Sequence, residues 1–271
     1  MSRGSREPIT GILKGSMRDN YSEHGVGEYY KKVGATYRNP HFPGIRSCIF
    51  LWLNRWWQME RQKSPSDPWI AFDMACGSGE ATLSILEWWQ LGRISYEQEQ
   101  KDTELNPSPN DAGAIRPRRP KVKSVTPPPL DSTAPRPVVI ATDPYTADAY
   151  HSRTALQCAS LCFKDIAEGS FPSLPPSLQT SDEPSKLDMV VCSFALHLVE
   201  SPSELFALLW ELSTKARWLI IIAPHKKPDI KDGWGWCKWD VDAWQESRIS
   251  DSQGEFLQER VHCRVYRSLN I

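Results

Sequence analysis

The sequence predicts an α/β protein: a doubly wound, mostly parallel sheet closed by a C-terminal antiparallel hairpin, with an N-terminal helical lid. Three observations carry that prediction. Short runs apolar on both faces recur along the chain, among them Trp69-Ile70-Ala71-Phe72, Val138-Val139-Ile140-Ala141, Met189-Val190-Val191-Cys192 and Leu219-Ile220-Ile221-Ile222, and a parallel sheet covered on both sides demands such strands. Helical patterns alternate with these runs. The first run leads through a glycine turn, Gly77-Ser78-Gly79, directly into a helix.

In chain order, residues 1–20 are polar and without periodicity, and read as a loose arm. Residues 44–60 place Ile45, Ile49, Trp52, Leu53 and Trp56 on one face at helical spacing. Residues 64–68, Ser-Pro-Ser-Asp-Pro, break that helix and separate a lid region, 1–64, from a core, 65–271. A strand ends at Met74, and a helix over 80–91 should turn Leu83, Leu86 and Trp89 inward. Residues 93–136 are rich in proline and charge and poor in large apolar groups. They read as an extended, disordered insertion that cannot bury enough surface to offset ordering entropy.

Order resumes with a strand ending at Asp143 and a helix over 146–157. Residues 160–165 read as a third strand, and 187–193 as a fourth after the Pro-rich loop 172–185. A helix over 203–213 has Ser203 as its N-cap. The strand 217–223 completes five parallel strands, and two further strands near 239–249 and 256–267 meet at the turn Asp251-Ser252-Gln253-Gly254.

Composition excludes several classes. With 271 residues, 40% of them apolar, the chain can fill one sizeable core with an appendage. A net charge of −1 argues against a protein held on nucleic acid by charge alone. Seven cysteines form no CxxC pair, so a metal site is not expected and a reducing compartment is. The N-terminus lacks an apolar targeting core, and no apolar run approaches membrane length. The expected location is cytoplasmic, with nucleus and mitochondrion left open. Twelve tryptophans are many. Core filling is the favoured role, although Trp234, Trp236 and Trp239, after the fifth strand, could wall a substrate pocket.

Ligands in such sheets bind beyond the carboxyl ends of the strands, where strand order reverses. Gly77 and Gly79 permit close backbone approach there, Asp143 could accept hydrogen bonds from a ribose diol, and Asp165 follows the third strand. The dinucleotide fingerprint requires a third glycine where this chain has Thr82, which disfavours NAD.

Over residues 65–271 the chain resembles the class I, Rossmann-like S-adenosylmethionine-dependent methyltransferases. Asp73-Met74-Ala75-Cys76-Gly77-Ser78-Gly79 is similar to that family's first motif, with Ala75 standing where a glycine is usual. The resemblance implies S-adenosylmethionine as cofactor, with Asp143 on the ribose, Pro144 and Tyr145 against the adenine and Asp165 with Ile166 at its amino group. Ser193-Phe194-Ala195-Leu196-His197-Leu198 would form the fourth motif, beside the reacting methyl. Its lack of an (Asn/Asp)-Pro-Pro-(Tyr/Phe) pattern disfavours adenine N6 and glutamine methylation. Tyr30 and Tyr37 lie in segments that look like a lid and are expected over the cofactor or on the sheet. His197 is the leading candidate for a general base, ahead of His41 and His225. The expected activity is methyl transfer to a small-molecule substrate. RNA or protein acceptors, and a non-catalytic partner subunit, are the alternatives.

Overall fold

The computed structural model describes residues 25–61, 68–105, 125–178 and 186–271. The expected arm, most of the 64–68 break and the basic stretch 116–123 lie outside them.

One sheet organises the molecule. β1 (Ile70–Met74), β2 (Val138–Thr142), β3 (Leu187–Ser193) and β4 (Ala216–Ala223) are parallel, whereas β5 (Trp236–Asp240), β6 (Gln245–Ser247), β7 (Phe256–Gln258) and β8 (Val261–Ser268) are antiparallel. The order is β2-β1-β3-β4-β8-β5-β6, with β7 on β8. The direction of winding reverses between β1 and β3, which makes their carboxyl ends the topological switch point. This is the Rossmann-like fold that the resemblance implied.

Alternation along the strands builds two cores. Met189, Val191, Trp218, Ile220 and Ile222 face one side, and Val190, Cys192, Leu219 and Ile221 the other. The first side is covered by α2 (Phe42–Met59) and α3 (Glu80–Leu105), which follow α1 (Val26–Val33). The second is covered by α5 (Phe163–Ala167) and α6 (Pro202–Ser213), which follow α4 (Ala147–Thr154). α2 buries Ile45, Ile49, Trp52, Leu53 and Trp56, as its spacing predicts, and so belongs to the core rather than to a lid. Among the described residues no helix is long and apolar enough to cross a membrane.

Local context overrides the expected pattern at several elements. The third strand is reduced to a single bridge, Thr142 to Ala159, because Asp165 Oδ2 accepts the Cys162 N–H at 2.8 Å and starts α5. α3, after the glycine turn, buries Ala81, Ile85 and Trp88; of the three expected positions the half-buried Trp89 does pack against this core, whereas Leu83 and Leu86 are not part of it. α6 begins one residue early, with Ser201 accepting the Glu204 N–H and Pro202 in the first turn, where a missing N–H costs nothing. The tail forms four strands rather than two.

The expected insertion differs most. Residues 93–105 continue α3, whose exposed face gains from good helix formers such as Glu97, Gln98, Glu99 and Lys101. Residues 125–136 return along it: Leu130 N–H donates to Gly92 O at 2.9 Å, Trp89 Nε1 to Ala134 O, and Asn54 Nδ2 to Thr126 O. Leu130 is 1% exposed. Few apolar residues suffice there because the groove between α2 and α3 supplies the remaining contact surface.

Most of the tryptophans pack in the two cores, Trp210, 45% exposed, being outside them. Trp52, Trp218, Trp239 and Trp244 interlock with ring centroids 5.1–6.0 Å apart, and Trp236 Nε1 donates to Leu209 O. Their role is packing.

Gly92 tests the docking of 125–136. A Cβ there would stand 2.6 Å from Leu130 Cγ and 2.8 Å from Pro128 O. Gly92→Ala should therefore cost about 1–3 kcal/mol in urea unfolding through overpacking, although alanine is the better helix former. A raised urea midpoint would show that the return segment does not seat on α3.

Candidate functional site

The residues after β1 adopt conformations that L side chains resist. Ala75, Gly77 and Gly79 have φ of 56°, 57° and 86°, so Ala75 sits in a left-handed geometry that glycine would adopt without strain. At Gly79 a Cβ would meet Thr154 Cγ2 at 2.6 Å and Tyr150 at 3.1 Å. The turn thus needs glycine both for its shape and for the approach of α4.

The end of β2 holds that turn in place. Cys76 N–H donates to Thr142 O at 3.0 Å and Gly77 N–H to Asp143 Oδ2 at 3.2 Å. Thr146 Oγ1 donates back to Gly77 O at 2.7 Å. Asp143 Oδ1 accepts the N–H groups of Tyr145 and Thr146 at 2.9 and 3.0 Å. Burial pushes the Asp143 carboxyl above its usual range, and these donors oppose the shift.

A cleft of about 200 Å³ opens over this turn. Its floor is Ala75, Cys76 and Gly77 with Thr142, Asp143 and Pro144, and Ser193, Phe194, Ala195 and Leu198 form the β3 side. Leu161, Cys162, Phe163 and Ile166 close one flank, and Tyr30, Tyr37, Asn39 and Tyr145 the opposite one. β1, β2 and β3 all contribute at their carboxyl ends. The lid packs firmly: Tyr30 stacks on Tyr145 at 6.1 Å and 9°, and Tyr37 meets Tyr30 edge-on. The expected aromatic wall of Trp234, Trp236 and Trp239 is not part of this cleft.

Glu80, at the start of α3, also lines the cleft, and sequence reasoning missed it. Its Oε1 accepts from Ser78 Oγ at 2.5 Å, Arg153 Nη1 at 2.7 Å and Asn39 N at 3.1 Å. This buried hub fastens the lid to the glycine turn. An acidic residue at the first position of a helix was a readable cue, as was Asn39 in the segment already assigned to the lid.

Other expected site residues lie elsewhere. Asp73 is fully buried beneath the turn, where Oδ2 accepts the Thr82 N–H and hydroxyl at 3.0 and 2.6 Å. Thr82, which stands in place of the fingerprint's third glycine, contacts Tyr150 OH as well, at 3.1 Å. Ser78 and Gly79 shape the turn from outside the cleft wall. Asp165 also lies outside the wall, because its carboxylate caps α5; its neighbour Ile166 takes the place. His197 does not line the cleft. After Phe194, with φ 59°, the chain makes a 3-10 turn, Leu196–Leu198, that buries Leu196, sends Leu198 to the cleft and leaves His197 exposed. His41 instead stacks on Phe194 at 5.0 Å, and burial holds its imidazole below the usual pKa.

Asp73 gives a test by pH. Desolvation raises its pKa to about 7, against the pull of the Thr82 bonds. A folded-state pKa above the unfolded value of about 3.9 means that the stability it contributes is fully present below pH ~4 and is lost as pH rises through the folded value. Asp73→Asn should flatten the decline in unfolding free energy between pH ~4 and ~7, which for one proton reaches at most about 1.4 kcal/mol per pH unit. An unchanged pH profile would remove Asp73 as its source.

No protein-family model matches the chain. Among solved structures, it is similar to magnesium protoporphyrin IX methyltransferase (ChlM) from Synechocystis PCC 6803 with bound SAM, at 13% identity, 98% coverage of both chains and a TM-score of 0.40. It is also similar to a putative RNA methyltransferase, PH1948, from Pyrococcus horikoshii, at 11% identity, 86% and 85% coverage and a TM-score of 0.35. The uncharacterized protein C17A5.05c of Schizosaccharomyces pombe is 41% identical over 259 residues, which span 94% of this chain and 93% of that protein. At that identity over nearly the whole of both chains, the protein belongs to one family with C17A5.05c.

Proposed function

We propose that the chain is an S-adenosylmethionine-dependent methyltransferase acting on a small-molecule acceptor. One observation carries this reading: the glycine turn, Asp143 and the Ser193–Leu198 segment meet in a single cleft at the switch point of the sheet. The fit is local and specific. Gly77 presents bare backbone to the cleft, where a Cβ would touch Tyr37 Cε1 at 3.0 Å. Asp143 lines the cleft with Oδ2 accepting the Gly77 N–H, and a carboxylate oxygen, with two lone pairs, keeps acceptor capacity for a ribose diol.

S-adenosylmethionine, when bound, supplies an activated methyl group on a sulfonium. Gly77 and Asp143 would hold its adenosyl part, with Pro144, Tyr145 and Ile166 offering apolar surface to the base. The remaining work of the protein is alignment of an acceptor and exclusion of water. Tyr30, Tyr37 and Asn39 wall one flank of the cleft and serve the second task, and a cleft of about 200 Å³ suits a small acceptor better than a folded macromolecule. Among the described residues no histidine lines the cleft. Where the acceptor carries a proton, His41 on Phe194 is the imidazole in contact with the wall.

Titration calorimetry with S-adenosylhomocysteine tests the reading. The chain should bind it and ignore NADH. Asp143→Asn should weaken binding about 10- to 100-fold, the range expected for lost hydrogen bonds to a charged group, while His197→Ala should leave it within about twofold, since its side chain lies outside the cleft. Binding of NADH alone, or of neither ligand, would overturn the proposal.

A further inference from the structure

A second cleft, of about 180 Å³, lies at the other end of the sheet between β5, β8 and the loops over 226–230 and 249–255. Lys226, Asp229, Lys238, Ser252, Glu255 and Arg264 are among its walls. None of them lines the first cleft.

The placement of charge there is unusual. Arg264 is 4% exposed and Lys238 3%, and charged groups are buried at such depth only when paired. Lys238 is paired, since its Nζ donates to Glu255 Oε1 and to Asp251 O. Glu255 is paired on both oxygens, because its Oε2 meets Lys226 Nζ at 3.2 Å. Arg264 has no such partner. Its Nη1 donates to Pro228 O at 2.9 Å and approaches Tyr266 OH at 3.4 Å, both neutral oxygens, while Nη2 has no hydrogen-bond partner. Asp229, which is exposed, and Asp251 also line the cleft, and among the described residues neither carboxylate is bonded to Arg264. A buried guanidinium without a carboxylate carries a desolvation cost that a bound anion would offset.

We infer that this cleft binds the oxyanion group, carboxylate or phosphate, of a small-molecule ligand. Arg264 is its main donor, because its buried Nη2 is without a hydrogen-bond partner and a planar guanidinium fork matches two oxygens of such a group. Lys226, half-exposed and bonded to Ser252 Oγ at 2.6 Å, guards the mouth and adds a second positive charge. Tyr266, 1% exposed behind Arg264, fixes the guanidinium from one side.

The test is thermal unfolding of the full chain at constant ionic strength, with chloride replaced by inorganic phosphate in one arm and by acetate in the other. Saturable stabilisation by about 3 °C is expected in the arm that carries the matching group. Which arm responds identifies the source of the oxyanion. Arg264→Lys keeps the charge but loses the fork, and should abolish the response. Should that variant fail to fold, Lys226→Met, at the exposed mouth, should raise the half-saturating concentration about threefold or more. Absence of any response in the wild type overturns the inference, as does a response unchanged in the variant that folds.

Discussion

The site depends on the lashing of two strand ends by one carboxylate. Asp143 accepts Gly77 N–H with one oxygen and the N–H groups of Tyr145 and Thr146 with the other, so it binds the glycine turn and starts α4 at once. Thr146 returns a bond to Gly77 O. Without this clamp, a turn that holds Ala75, Gly77 and Gly79 at positive φ would lose its shape. With it, the cleft floor is fixed before any ligand arrives, which is the preorganisation that binding and group transfer both require.

Two buried polar hubs brace the clamp from beneath and from the side. Asp73, Thr82 and Tyr150 tie β1 to the first turn of α3 and to α4. Glu80, Ser78, Arg153 and Asn39 tie the turn to the lid. Glu80 is held by three directed donors, whereas Asp73 is held through Oδ2 alone, its Oδ1 being buried without a hydrogen bond, and each hub joins elements far apart in sequence. The lid is thereby part of the folded unit, stacked through Tyr30 on Tyr145.

Much of this was legible in the sequence where a local rule had no competitor. Apolar runs marked the parallel strands, the face of α2 followed from its spacing, and glycines at 77 and 79 marked the turn. The resemblance then grouped Asp143, Pro144, Tyr145, Ser193, Phe194, Tyr30 and Tyr37, and all line one cleft. The misses came where tertiary context decided. Asp165 reads as a strand-end carboxylate but caps a five-residue helix, a choice set by the nearby Cys162 N–H. Asp73 carries the motif's acidic position, yet its partner Thr82 lies nine residues on and turns it away from the cleft. His197 was placed by position alone, and a single residue of 3-10 phase sends Leu198 inward in its stead. Residues 125–136 look unfoldable alone and fold because α3 and Asn54 receive them.

Whether the Asp143 clamp shapes a nucleoside site is decided by a crystal structure of the chain grown with S-adenosylhomocysteine. The ribose hydroxyls should lie on Asp143 and the base between Tyr145 and Ile166, with the backbone of residues 75–79 superimposing on its ligand-free path. A nucleoside seated elsewhere, or a glycine turn that must refold to admit it, would contradict that role.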